Sequence, residues 1–265
     1  RDTDRSRGLG DVYKRQSVDS AALYNITIAS EYKIPQSGTF VLADENFDGV
    51  KSGTINEPVY NNNSYLNQYT KYPDWISYLT LLADGMIGLK NYFLLTDNDS
   101  HSFISSPKYQ TNAANPGNIK LTVSAKMVNC TMGTTLNVSL VDATTGKDIG
   151  NGVQSVELNE EMTSYDFDLG ASNNYYVKIS FNDPNDLTGL SSMVFIDDIK
   201  ITQEMEAGTS LIRTYKYVTA YNNKLYVETP DSPDGENFYY YVTALSYNTN
   251  GIFFSYPSNI IYVDT

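Results

Sequence analysis

The sequence predicts an all-β protein, an antiparallel β-sandwich followed by a small second β unit. Three observations carry this. Hydrophobic residues make up 41% of the 265 positions and are broken throughout by Gly, Asn, Asp and Ser, with 23 Tyr among them. No segment combines helix caps with an apolar period of 3.6 residues. From Ile119 onward, period-two runs recur about every ten residues, the spacing of short strands in a sandwich.

Residues 1–16, RDTDRSRGLGDVYKRQ, hold five of the eighteen basic residues, show no periodicity and clash with the acidic remainder. They are expected to be adaptor or cloning sequence and stand outside the fold, with the native start missing. Within 17–37, Tyr24-Asn-Ile-Thr-Ile-Ala29 reads as one strand. A strand does not stand alone, so this stretch is expected to end a preceding module or to serve as a linker strand.

A main sandwich is expected over 38–203. Thr39 to Ala43 is strand-like and leads into Asp44-Glu-Asn-Phe-Asp48-Gly49, after which Asn, Ser and Tyr dominate to about residue 74. So long a loop-rich stretch in a compact domain tends to be functional or poorly ordered. Its aromatic residues recur at Tyr60, Tyr65, Tyr69, Tyr72, Trp75 and Tyr78, and Ile76 to Leu82 reads as a strand. Ile119, Leu121, Val123, Ala125 and Met127 then share one face of a strand. Leu136, Val138 and Leu140 follow, then the turn Thr144-Thr145-Gly146-Lys147, Val153 with Val156 to Leu158, and Tyr165, Phe167 and Leu169. Tyr175, Val177, Ile179 and Phe181 alternate up to the Asp183-Pro184-Asn185-Asp186 loop, where Pro184 lacks a ladder donor. Met193 to Thr202 is an apolar strand interrupted by two acids. The polar stretch Gln203 to Gly208 marks a break, and the runs beyond it make a small β unit over 204–265.

Lys and Arg total 18 against 31 Asp and Glu, a formal net charge of -13. Such a surface repels phosphate backbones and anionic headgroups, which argues against nucleic-acid binding. The acids serve solubility, or as oxygen ligands they hold a hard cation such as calcium. No apolar run reaches the length of a membrane span. The single cysteine, Cys130, excludes an intrachain disulfide, and the single histidine, His101, excludes a histidine zinc site. There is no Gly-x-Ser-x-Gly elbow, no phosphate-cradling glycine loop, and no motif that would join Cys130 to His101 as a dyad. The expectation is a protein that is not an enzyme.

Phe47-Asp48-Gly49, Pro73-Asp74-Trp75, Gly85-Met-Ile-Gly-Leu89, Phe103-Ile-Ser-Ser-Pro107 and Val194-Phe-Ile-Asp-Asp-Ile-Lys-Ile201 resemble, in that order, the jelly-roll modules of bacterial surface proteins. These are of the choice-of-anchor J and cleaved-adhesin type, similar in shape to MAM domains and carbohydrate-binding modules. Phe238-Tyr-Tyr-Tyr-Val-Thr-Ala-Leu245 and Ser255 to Val263 resemble the last strands of a fibronectin type III domain, in a truncated form. The resemblance implies a secreted or cell-surface bacterial protein, with a glycan or a host or cell-surface protein as partner. It also implies a calcium ion tying the first strand to the last through Asp48, Asp197 and Asp198, with Asp44 and Glu45 as further ligands and Asp97 and Asp99 as another loop site.

Asp197 and Asp198 are neighbours in an apolar strand, so one of them is expected to face inward. A cation would offset the cost of burying it, and so would backbone hydrogen bonds. For a glycan, Tyr60, Tyr65, Tyr69, Tyr72 and Trp75 are the candidate contacts, with Asn61, Asn63 and Asn67 as hydrogen-bond partners. Tyrosines are also ordinary half-buried strand residues, and Trp75 equally suits the sandwich core. The function expected is a non-catalytic adhesion or carbohydrate-binding module. A structural spacer, or an accessory fragment of a secreted peptidase or glycosidase, is the alternative.

Overall fold

The computed structural model describes residues 23–71, 74–91, 101–184, 192–220, 237–248, 251–254 and 261–263, all strand or turn, with no helix among them. In chain order the strands are β1 (Leu23–Lys33), β2 (Gly38–Glu45), β3 (Val59–Tyr60), β4 (Ile76–Tyr78), β5 (Thr80–Ala83) and β6 (Met86–Leu89). Then come β7 (Phe103–Ser105), β8 (Tyr109–Thr111), β9 (Asn118–Val128), β10 (Thr135–Asp142), β11 (Asp148–Glu157) and β12 (Thr163–Ala171). The last are β13 (Asn174–Asn182), β14 (Met193–Met205), β15 (Ser210–Ala220), β16 (Asn237–Asn248), β17 (Gly251–Phe254) and β18 (Ile261–Val263).

The chain divides into two compact units, Lys33–Arg213 and a second made of Arg1–Tyr32 with Thr214–Thr265. These boundaries differ from those expected at 38 and 203. Met205 is paired with Gly38 in the β14–β2 ladder, so the strand runs past the polar residues that read as a break. The stretch expected to close a preceding module instead supplies β1, which pairs antiparallel with β16 from Leu23↔Leu245 to Glu31↔Asn237. On its other edge β16 carries β17 and β18.

Lys33–Arg213 is an antiparallel jelly-roll sandwich. Its first sheet runs β12-β9-β14-β6-β5-β3, with β2 also on β14. The second runs β11-β10-β13, where β13 continues to β7 and β8 and β7 carries β4. From β9 to β14 the chain passes repeatedly between the sheets, so each inward row meets rows from the other layer.

Those rows are the ones the sequence alternation picks out. Ile119, Leu121, Val123 and Ala125 on β9 are fully buried, and Met127 is half-buried near the end of the strand. Leu136, Val138 and Leu140, Tyr165, Phe167 and Leu169, and Tyr175, Val177, Ile179 and Phe181 complete the core. Val153 is exposed instead. It lies on the edge strand β11, whose Gly150 and Gly152 adopt positive φ; of its run only Leu158, past the end of the strand, is buried in the core. Polar links also cross the interior: the Tyr175 hydroxyl donates to Gln203 Oε1 at 2.8 Å, and Gln203 Nε2 donates to Ser172 O at 3.2 Å. Both side chains are buried, so satisfying these groups matters more than their number.

Two local devices shape the region that follows the long loop. Between β4 and β5, Leu79 takes a positive φ of 51°, and there the chain leaves the second sheet for the first. Asp84 and Gly85, with φ of 47° and 80°, then join β5 to β6 as a two-residue hairpin with Ala83 opposite Met86. On β6, a side chain at Gly88 would come within 2.8 Å of the Phe195 ring, which packs with Leu81, Ala83, Met86 and Met193.

Candidate functional site

The loop before β4 is pinned from inside by a buried acid. Glu45, at the end of β2, accepts the Lys71 amide at 2.7 Å and the Trp75 indole Nε1 at 3.1 Å. Trp75 is 0% exposed and meets Phe47 edge-on, with centroids 6.4 Å apart. Trp75 therefore presents no ring face to a ligand, which corrects its place among the candidate contacts: it fills the core. Glu45, expected as a further calcium ligand, is committed to this interior bond.

Around that plug the loop folds back along β4. Leu66 N donates to Trp75 O and Ser77 N to Ser64 O, each at 2.9 Å, and Tyr65 bridges to Ile76 between them. In such a non-hydrogen-bonded pair the side chains stand close on one face. Asn61 Nδ2 donates to Asn63 O, Ser77 Oγ and Thr80 Oγ1, while Asn67 Oδ1 accepts the Asp74 amide. The asparagines expected to meet a glycan thus brace the loop.

Trp75 and Ser77 point inward, so Ile76 and Tyr78 take the outer face. Tyr65 is 40% exposed and Tyr78 44%. Across the next ladder Tyr78 pairs with Phe103 and stacks on it, with centroids 5.8 Å apart and 28° between planes. Lys178, on β13, sets its ammonium 4.8 Å from the centroid of the same ring. Tyr65, Tyr78, Phe103 and Lys178 thus follow one another across the outer face of the second sheet. Burial, and after it the Asp74 carboxylate, raises the Tyr65 hydroxyl above the ordinary tyrosine range.

Of the other expected contacts, Tyr60 is exposed on β3, in the first sheet, and Tyr69 is half-buried. Tyr72 lies outside the described residues. Phe103 and Lys178 were not among the expected contacts, because the pairing of β4 with β7 and of β7 with β13 leaves no local mark in the sequence.

The acids of β14 behave differently from expectation. Ile196 pairs with Ala125 and Ile199 with Val123, so β14 carries one residue more than β9 and bulges at Asp197-Asp198. The bulge lets both isoleucines stay buried and turns both acids out of the core. Asp198 is exposed and Asp197 half-buried, so neither is the buried lone carboxylate that strict alternation requires. Burial, then Asp198 and Asp48, push the Asp197 carboxyl above the usual carboxylate range, and Lys126 acts the other way. Asp48 is exposed and accepts Asn46 Nδ2 at 2.6 Å. Asp197 feels both other acids, yet among the described residues no group of three or more His, Cys, Asp or Glu is arranged to hold a metal ion. Asp44 is exposed, and Asp97 and Asp99 lie outside the described residues.

His101 is exposed, and Cys130 is half-buried with a thiol raised chiefly by burial. Among the described residues no helix is long and apolar enough to cross a membrane.

No protein-family model matches the chain, and no curated protein does. Among solved structures it is similar to a mutant of a family 29 carbohydrate-binding module at 10% identity and a TM-score of 0.35, covering 57% of this chain and 92% of that one. A CBM4 structure aligns at 14% identity and a TM-score of 0.37, over 58% of this chain and 99% of the other. BiXyn10A CBM1 in its apo form aligns at 17% identity and a TM-score of 0.34, over 61% and 97%.

Proposed function

We propose that the chain is a non-catalytic carbohydrate-binding module that holds its glycan on the outer face of the second sheet. The supporting observation is the strip of Tyr65, Tyr78 and Phe103 on one surface, two of its rings well exposed and the third stacked beneath a lysine. Sugar rings present C–H faces that pack on aromatic faces, and rings fixed in a sheet lose little freedom when they do so. The jelly-roll resemblance of the sequence places such a module in a secreted or surface-attached bacterial protein of the choice-of-anchor J type, used in adhesion. The fibronectin-like reading of Phe238 to Leu245 belongs to the same proposal, with β1 as an added strand on β16.

Calcium enters as a separate point. A cation shared by Asp48, Asp197 and Asp198 would offset the burial, and after it the repulsion, that raises Asp197. Added calcium is then expected to raise Tm by several degrees, and an unchanged Tm removes the ion from the proposal.

A glycan array read with the wild type and with Tyr65→Ala and Tyr78→Ala tests the binding surface. Hits that both variants lose are expected. Hits that both retain would move the site elsewhere, and a blank array would favour a protein partner or a spacer role.

A further inference from the structure

We infer that the strip selects an anionic saccharide, one bearing carboxylate or sulfate groups at intervals, and that Lys178 is the residue that reads the charge. This rests on the binding face proposed above and adds the chemical class of its ligand. The chain has 31 acidic and 18 basic residues, so its average field disfavours an anion and a local cation is needed to hold one. Lys178 can supply that cation: among the described residues no carboxylate pairs with its ammonium, which lies against the Phe103 ring.

An ammonium resting on a ring keeps its outward side for a second partner. The ring steps of 4.8 Å to Phe103 and 5.8 Å on to Tyr78 place that charge within one saccharide chain's reach of the exposed Tyr78. The surroundings sharpen the selection. Asp74 acts on Tyr65 at one end of the strip, and Asp148 acts on Tyr176, two residues from Lys178 along β13. An anionic group is therefore accepted at Lys178 and repelled on either side. A neutral sugar over Tyr65 followed by an acidic one near Phe103 fits this order, and a densely charged polymer does not.

The test uses the full chain against an immobilised glucuronoxylan, whose carboxylates are spaced along a neutral chain, a sparsely sulfated galactan, a neutral β-glucan and a neutral mannan. The variants are Lys178→Met, which keeps the stem on Phe103, Lys178→Arg, and Lys120→Met on the opposite sheet. Binding to an anionic polymer is expected to fall at least about tenfold in Lys178→Met, to survive in Lys178→Arg and Lys120→Met, and to weaken with salt. Whether the glucuronoxylan or the galactan is retained separates carboxylate from sulfate. Binding to neutral polymers alone, unchanged by Lys178→Met, would overturn the inference and leave the binding face standing. Equal losses in Lys178→Met and Lys120→Met would show general charge attraction and overturn it too. No binding to any polymer, by a wild type whose Tm shows it folded, would sink both readings.

Discussion

The outer faces of the two sheets in Lys33–Arg213 obey the same alternation and carry different chemistry. On the first sheet, Lys200 lies between Asp44 and Thr122, Thr122 pairs with Asp166, and Lys120 pairs with Asp168. Opposite charges and hydroxyls face one another there, with Thr122 Oγ1 donating to Asp166 Oδ1 at 2.6 Å. Along β9, β12 and β14 such a face is satisfied by its own cross-strand pairs and by water, while Val41, Val59 and Tyr60 stand exposed on β2 and β3. On the second sheet the corresponding outward positions are Tyr65, Ile76, Tyr78, Phe103 and Lys178. The rings partner one another and the cation rests on a ring, so this face keeps apolar area and a charge to offer. The difference teaches that in a sandwich the inward rows specify the fold, while the outward rows of its two sheets are free to carry different chemistry.

The largest test of that division is Trp75→Ala. A core role predicts a loss of about 3–5 kcal/mol in urea unfolding, because the change empties a buried site and leaves Glu45 with one partner fewer. A stable variant that failed only to bind would return Trp75 to the ligand surface. Tyr78→Ala is expected to do the reverse, weakening glycan binding about tenfold, or 1.4 kcal/mol, by isothermal titration, with unfolding nearly unchanged.

On the first sheet, Thr122→Ala removes an exposed cross-strand bond and is expected to cost about 0.2–1 kcal/mol with no effect on binding. Loss of binding in that variant would break the distinction between the faces. The smallest effect concerns Asp197, whose folded-state pKa lies above its unfolded value. Its ionisation therefore weakens the fold above the folded pKa, and the deficit vanishes as pH falls below the unfolded one. Asp197→Asn is expected to raise Tm slightly at pH 7, by less than about 0.5 kcal/mol in stability once solvent screening is counted, and to leave it unchanged near pH 3. A gain that persists in acid would assign the effect to packing.

The inward rows of β9, β10, β12 and β13 were legible because each strand writes its own period of two. What was not legible depends on partners distant in sequence. The bulge at Asp197-Asp198 exists in the register between β14 and β9, so alternation within β14 alone buried an acid that the fold turns out. Glu45 reads as a loop carboxylate until Trp75, thirty residues on, arrives beside it. Phe103 and Lys178 belong to the strip only through ladders joining β4, β7 and β13. Tyr65 and Tyr60 are exposed, as an aromatic residue in a polar loop suggests locally, but only Tyr65 lies beside β4.

Ile34 N donates to Thr209 O and Gly208 N to Ile34 O, each at 2.8 Å, a backbone clasp just beyond Gly38↔Met205, the last pair of the β14–β2 ladder. Fraying of the β14–β2 ladder from that end would have to open the clasp first, so the edge of the sheet is locked where its last pair would otherwise be loosest.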